Sequence, residues 1–338
     1  MVQSTGPAWR APSESIDAVY LWVDGADPEF RERLSRYRQC EGSAGDTERS
    51  GTHRFRDNDE LRFSLRSLET HAPWIRHIYL VTNGQVPAWL DIANPRLSLI
   101  PHEVIFPDPS HLPTFNSHSI ELHLHRIPGL SNRFLYLNDD VFLGRAVTLE
   151  DFLTPSGGQR IYLDSWLLPT RLDTGPVHDR AYAHSQRLLD ERFGTRAHRR
   201  AIAHTPQLYD RSRVVQIQQM WRDEVARTSS NRFRAPDDLA VRILYFYSLL
   251  EGPQDPIQHE VVSGPAAAGL YRFVTVGPGD MGLARSLRSI AAERPKFFCL
   301  NDDRPDGGEP DVIRMQSKAF LHWYFRRPSR LERAGPTA

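Results

Sequence analysis

Lysine is nearly missing from this chain: Lys296 and Lys318 stand among 42 basic residues, so arginine carries almost all the positive charge. Arginine is the better bidentate partner for phosphate and carboxylate, although a GC-rich genome produces the same bias. Net charge is missing too, with 42 acids against 42 bases. That balance, and the lack of a compact basic patch interleaved with aromatics, argues against nucleic acid as a partner. Two cysteines, Cys40 and Cys299, are too few for a disulfide framework. No apolar run reaches the length of a bilayer span, and residues 1–17 lack the basic head and apolar stretch of a secretion signal. A soluble, cytoplasmic protein is the expectation. The Gly-x-Gly-x-x-Gly fingerprint and the Walker loop are also absent, which counts against a dinucleotide dehydrogenase or a P-loop kinase.

What is present is an alternation of apolar strands and amphipathic helices. Ile16 to Val23 predicts a buried strand that delivers Asp24 and Gly25. Such an exit meets a ribose or base at a sheet's carboxyl edge, or simply makes a turn. Helix signals follow at Glu29 to Tyr37 and from Asn58 to Leu68, where Leu61, Leu65 and Leu68 keep helical spacing. Arg56 and Asp57 precede that second helix, placed to face a ligand. His77 to Thr82 and Leu97 to Ile100 predict further strands, with Asn83 at the exit of the first and a short helix at Pro87 to Leu90 between them. This order predicts an α/β fold with a mostly parallel central sheet flanked by helices. One catalytic domain over 15–328 is expected, with a helical insertion at about 175–250, a flexible segment at 1–14 and a flexible tail at 329–338.

Two stretches end in paired acids. Phe134 to Leu137 runs into Asn138-Asp139-Asp140, and Phe297 to Leu300 runs into Asn301-Asp302-Asp303. Adjacent carboxylates at the exit of a buried strand need compensation, which a divalent cation shared with phosphate oxygens supplies. A solvated acidic turn is the competing reading. Just before the first of them, His118, Glu121 and His125 share one face of a predicted helix through Ile127, a face fit for a metal, a sugar or ordinary surface contacts; the spacing matches no zinc signature. Asp164 lies on a strand predicted at Ile161 to Leu168. His204 is expected just before a helix running to Val225, whose amino-terminal dipole lowers its pKa toward use as a base; a capping or packing role is the alternative. Arg234 precedes an apolar helix, Leu239 to Leu250, that reads as core.

Four ordered blocks carry a family resemblance: Ile16 to Gly25; Arg54 to Arg62 together with Asn138 to Val141; Ala203-His204-Thr205-Pro206 with Arg232-Phe233-Arg234; and Phe297 to Asp303. The chain resembles the Stealth family, bacterial capsule and cell-wall polysaccharide phosphotransferases that share a catalytic module with the animal lysosomal-enzyme N-acetylglucosamine-1-phosphotransferase. The resemblance implies a glycosyltransferase A-like nucleotide-sugar fold that moves hexosamine 1-phosphate from a UDP-sugar, a UDP-N-acetylhexosamine, to a saccharide hydroxyl and releases UMP. It implies Asp24 at the nucleotide end; Gly25, Arg56, Asp57 and Asn83, at the strand exits and the helix start, are the other donor-binding candidates. Glu121, Asp140 and Asp302 match the acidic site, and His204 and Arg234 match residues essential for transfer. Mg²⁺ or Mn²⁺ is the expected cofactor, on Asp140, Asp302 and Asp139. Asp303 departs from the animal relatives, which have no acid there. Peripheral contact with the inner membrane face or a capsule export complex is a further expectation, with Trp221 and Trp323-Tyr324-Phe325 as docking or core residues. A metal-dependent glycosyltransferase releasing UDP, a nucleotide-sugar hydrolase and a noncatalytic saccharide-binding protein are the rival readings.

Overall fold

The structure, a computed structural model, describes residues 15–40, 51–196, 198–253, 257–276, 282–302 and 311–333. The expected flexible segment at 1–14 and Asp303 lie outside these residues, as does most of the loop before Arg54.

Apolar runs build the central sheet. β1 (Ile16–Leu21), β2 (Ile78–Thr82), β3 (Leu97–Pro101) and β4 (Arg133–Asn138) are parallel, in the order β3-β2-β1-β4. The near-continuous burial of β1, β2 and β4 is what parallel strands covered on both faces require. β8 (Gln207–Asp210) closes the far edge antiparallel to β4. The fold is therefore mixed α/β with a mostly parallel centre, as the alternation predicts.

Pairing of β1 with β4 sets Leu21 opposite Asn138, so the exits of both strands reach the same sheet edge. At the opposite edge Asp17, fully buried, accepts from Arg76 Nε and Nη2 at 2.8 and 2.6 Å and from the Ser131 amide at 2.7 Å. That clamp links β1 to the segments that lead into β2 and β4.

Two three-stranded sheets flank the centre. One joins β10 (Tyr271–Val276), β11 (Phe297–Asp302) and β5 (Val141–Leu143); β11 is antiparallel to β5, which brings the second acidic exit back beside the first. The other joins β7 (Arg200–Ile202), β6 (Arg160–Leu167) and β9 (Glu260–Val262).

Helices α1 (Pro28–Cys40) and α2 (Glu60–His71) fall where expected. Three expectations need correction. Pro87 to Leu90 is not helical; its Leu90 bridges to Glu332. The helix through Ile127 breaks into Ser117–Glu121 and a 3-10 turn at Leu124–Arg126, so Glu121 and His125 do not share a face. The region at about 175–250 is not a purely helical insertion, because β7 and β8 lie within it and β8 completes the central sheet.

Residues 329–333, expected in a flexible tail, are packed. Leu331 is buried, and Glu332 accepts from Arg62 Nε and from Arg66 Nε and Nη2 on α2. Trp221 and Phe325 are buried as core residues, whereas Trp323 is exposed. Among the described residues no helix is long and apolar enough to cross a membrane.

Candidate active site

The strand exits meet at a cavity of about 590 Å³ on the carboxyl edge of the sheet, the location where open α/β sheets bind ligands. Arg56, Asn83, Glu121, Asp139, Asp140, His204, Arg234 and Asp302 all line it. Residues some 160 positions apart converge there because β5 and β11 pair directly after and before their acids. Asp24, Gly25 and Asp57 do not line it. The Asp24 carboxylate accepts from the Ala26 amide at 2.8 Å, and its backbone is held on both sides by the Gln85 amide. Gly25 is required by contact: its amide donates to Phe55 O at 2.7 Å, and a Cβ would lie 2.2 Å from that oxygen. Asp57 is turned to the Asp59 amide, with Trp22 as a second partner.

The two acidic exits differ in their compensation. Asp302 is matched: Oδ1 accepts from Arg56 Nη1 at 2.8 Å and Oδ2 from Asn58 Nδ2 at 3.0 Å. Asp140 is not. Its Oδ2 accepts from the Cys299 thiol at 3.2 Å, while Oδ1 is buried with no hydrogen-bond partner. Burial pushes the Asp140 carboxyl up to about 6. Burial also pushes Asp139 well up, reinforced by Asp140, Glu60 and Asp57. Glu60 is raised to about 8 by burial, although Asn58 donates to both of its oxygens. A buried and two part-buried acids, one with a buried orphaned oxygen, suit a cation. Among the described residues, Asp140, His204 and Cys299 form the one cluster of three metal-capable side chains, their atoms within 4.8 Å of one another. Asp302 and Asp139 stand on the same cavity wall outside that cluster.

His204 does not precede a helix. It sits in the short link between β7 and β8, held by the Ala203 amide donating to Tyr162 O. Its pKa is nevertheless lowered, to about 3, by burial and then by the Arg242 charge. Arg242 Nη1 lies 3.0 Å from Nδ1, while Nε2 faces Asn138 at 3.1 Å and Asp140 Oδ1 at 3.9 Å. Guanidinium only donates, so Nδ1 accepts and the neutral ring carries its proton on Nε2. Asn138 then meets that proton through its amide oxygen, which a half-turn of the amide exchanges with its nitrogen.

Arg234 Nη2 donates to Ser117 Oγ at 3.0 Å, and Glu121 accepts from the Tyr136 hydroxyl at 3.1 Å. Glu121 also supports the charges of Arg234 and Arg242. Asp164 and His118 reach the cavity as well; His125 does not. Arg242, Glu60 and Cys299 were not picked out as site residues from the sequence. Arg242 is the lone basic residue of the apolar helix Val241–Glu251, and a strong base within such a run is the signal that marks it.

These features define an α/β protein with an acidic, arginine-lined cavity at the carboxyl edge of a parallel sheet. Three family models match: Stealth protein conserved region 1 over residues 14–39, conserved region 2 over 54–161 and conserved region 3 over 203–251. The chain belongs to the Stealth family. It is 40% identical over 323 residues to an exopolysaccharide phosphotransferase of Streptomyces coelicolor, covering 94% of this chain and 52% of that protein. It is 38% identical to one of Nocardia farcinica, at 94% and 61% coverage, and 34% identical to CpsY of Mycobacterium tuberculosis, at 94% and 58%. The chain thus spans about half the length of the relatives it matches. Among solved structures, the galactosyltransferase LgtC aligns over 95% of this chain and 98% of its own at 12% identity and a TM-score of 0.42. The bifunctional glycosyltransferase WbbM aligns over 94% and 51% at 10% identity and a TM-score of 0.45.

Proposed function

We propose that the chain is a sugar-phosphate transferase that moves hexosamine 1-phosphate from a UDP-N-acetylhexosamine to a saccharide hydroxyl. The observation that carries the reading is the Asp140–His204–Arg242 arrangement: an orphaned carboxylate oxygen, a neutral imidazole and a guanidinium in contact along one cavity lining. The names of the relatives, exopolysaccharide phosphotransferases, support the same class.

In this reading the acceptor oxygen bonds to the β-phosphorus of the donor, the bond from that phosphorus to the bridging oxygen breaks, and UMP leaves. The sugar's C1–O bond stays intact, so anomeric configuration is retained. The acceptor proton passes to His204 Nε2. For that, Nδ1 must hold the ring proton, and Arg242 must leave Nδ1 for the donor's phosphates. The donor therefore frees the base that its own reaction needs. Arg234 and Arg56 supply further positive charge for phosphate oxygens. Mg²⁺ or Mn²⁺ held by Asp140, with Asp139 and Asp302 beside it, would neutralise the departing phosphate.

Product analysis with a UDP-N-acetylhexosamine and a saccharide acceptor tests the reaction. UMP with a phosphodiester-linked product is expected. UDP in its place identifies a glycosyltransferase, and UMP formation without any acceptor identifies a hydrolase; either result ends this reading.

A further inference from the structure

Three Trp or Phe rings are exposed among the described residues, Trp166, Phe273 and Trp323, and two of them line the cavity. Trp166 is 50% exposed and Phe273 42%. Neither is needed to close the core, and phosphate chemistry has no use for them. Their placement follows from strand geometry. Burial, and then the nearby Asp164 carboxylate on β6, raise the pKa of the Tyr271 hydroxyl on β10. Phe273 lies two residues beyond Tyr271 on β10, a spacing that keeps a side chain on the same face, and Trp166 lies beyond Asp164 on the irregular stretch of β6 between Leu163 and Leu167. Asp164, Trp166 and Phe273 all reach the cavity wall. The Phe273 ring meets the His204 ring edge-on, with centroids 5.7 Å apart. The aromatic pair therefore begins beside the imidazole that handles the acceptor proton.

A carboxylate at this wall repels a diphosphate but accepts hydroxyl groups. Exposed aromatic faces pair an apolar surface with the apolar face of a pyranose. An uncharged, hydroxyl-rich ring is the ligand that suits both. We propose that Trp166 and Phe273 form the platform on which the acceptor saccharide stacks, with the neighbouring Asp164 accepting its hydroxyls. This assignment rests on the transfer reading above, and it gives the donor and acceptor different walls of one cavity: arginines for the phosphates, aromatic rings for the acceptor.

Saturation-transfer NMR with cellotetraose, maltotetraose and chitotetraose tests it without requiring turnover. Wild-type protein should bind at least one of them. Trp166→Ala and Phe273→Ala should each weaken that binding roughly ten-fold, the loss of one ring's contact area, and Trp166→Phe should retain most of it. Both rings are exposed, so circular dichroism and the melting temperature should stay near wild type. In turnover assays the same variants should raise the acceptor KM while leaving the donor KM unchanged. No saccharide binding by the wild type, or alanine variants that bind as well as it does, overturns the platform. Saccharide binding lost in the variants, together with UDP instead of UMP as product, leaves the platform standing and removes only the phosphotransfer reading.

Discussion

The guanidinium of Arg242 has no lone pair, so its 3.0 Å contact with His204 Nδ1 decides what the imidazole offers the cavity. Until Arg242 turns to a phosphate, Nε2 carries a proton and donates. Arg242→Gln should therefore behave differently from His204→Ala. Loss of the imidazole should lower kcat by on the order of 100-fold or more, as removal of a proton-transfer group does. The Gln variant should lose donor affinity as well as rate, because it removes both the phosphate contact and the device that frees the ring. Steady-state kinetics separating the donor KM from kcat checks this; a normal donor KM in Arg242→Gln would sink the coupling. Asp140 yields a second prediction at the same scale. Its carboxyl is raised to about 6, so it is protonated below that pH, and a proton competes with a cation for it. Calorimetric titration with Mn²⁺ should show affinity falling with acidification below about 6, by up to roughly ten-fold per pH unit. Asp140→Asn should abolish the binding and its pH dependence together.

Among the elements, those that sequence revealed were the ones whose burial is encoded locally. β1, β2, β4 and β11 are apolar runs because parallel or central strands are covered on both sides, and no other element explains Val19-Tyr20-Leu21 or Phe297-Phe298-Cys299. β8 was missed for a reason of the same kind. Gln207-Leu208-Tyr209-Asp210 is four residues long, begins right after Pro206 and runs into a helix that Asp210 caps by accepting from the Ser212 and Arg213 amides. Only pairing with β4 makes it a strand, and that pairing is invisible in sequence. The acids were legible as strand exits; which of them is compensated was not, because Arg56, Asn58 and Cys299 approach from distant segments. The link after β1 gives an element-scale prediction. Gly25→Ala would drive a Cβ to 2.2 Å from Phe55 O, a backbone atom that cannot swing aside. The variant should melt below wild type, and activity should fall with it, since Phe55 and Arg56 carry the neighbouring cavity wall. A second concerns the clamp at the sheet's other edge: Asp17→Ala removes three hydrogen bonds to a buried carboxylate and should cost about 2–3 kcal/mol in chemical denaturation without changing the donor KM.

Over the whole molecule two groups of carboxyls set opposite pH dependences. Glu332 joins the chain's last described residues to α2; burial, the largest single influence, pushes its carboxyl up, but Arg66, the Ser329 amide and Arg62 together outweigh it and hold the carboxyl below the usual carboxylate range. A carboxyl depressed in the folded state contributes stability above its unfolded pKa and loses that contribution as pH falls through the folded one. Glu332→Gln should therefore destabilise the protein at neutral pH and have progressively less effect on acidification. The cavity acids act in the other sense. Glu60 is raised to about 8 and Asp140 to about 6, burial being the main cause in both, and Asp139 is raised with them. Ionising them in the folded state opposes folding. The resulting penalty is absent near the unfolded carboxyl pKa, begins to grow above it and reaches its full size once pH passes about 8. Metal-free protein should accordingly melt highest between the acid loss of Glu332 and the onset of this penalty, with the melting temperature declining from about pH 6 to pH 8.5. A divalent cation at Asp140 stabilises the ionised form, so adding Mn²⁺ should raise the melting temperature most at the alkaline end and flatten the decline. Glu60→Gln should flatten part of it without any cation. Melting curves at pH 6 and 8.5, with and without Mn²⁺, decide the matter: an equal Mn²⁺ effect at both pH values would mean that the buried acids are not what the cation compensates.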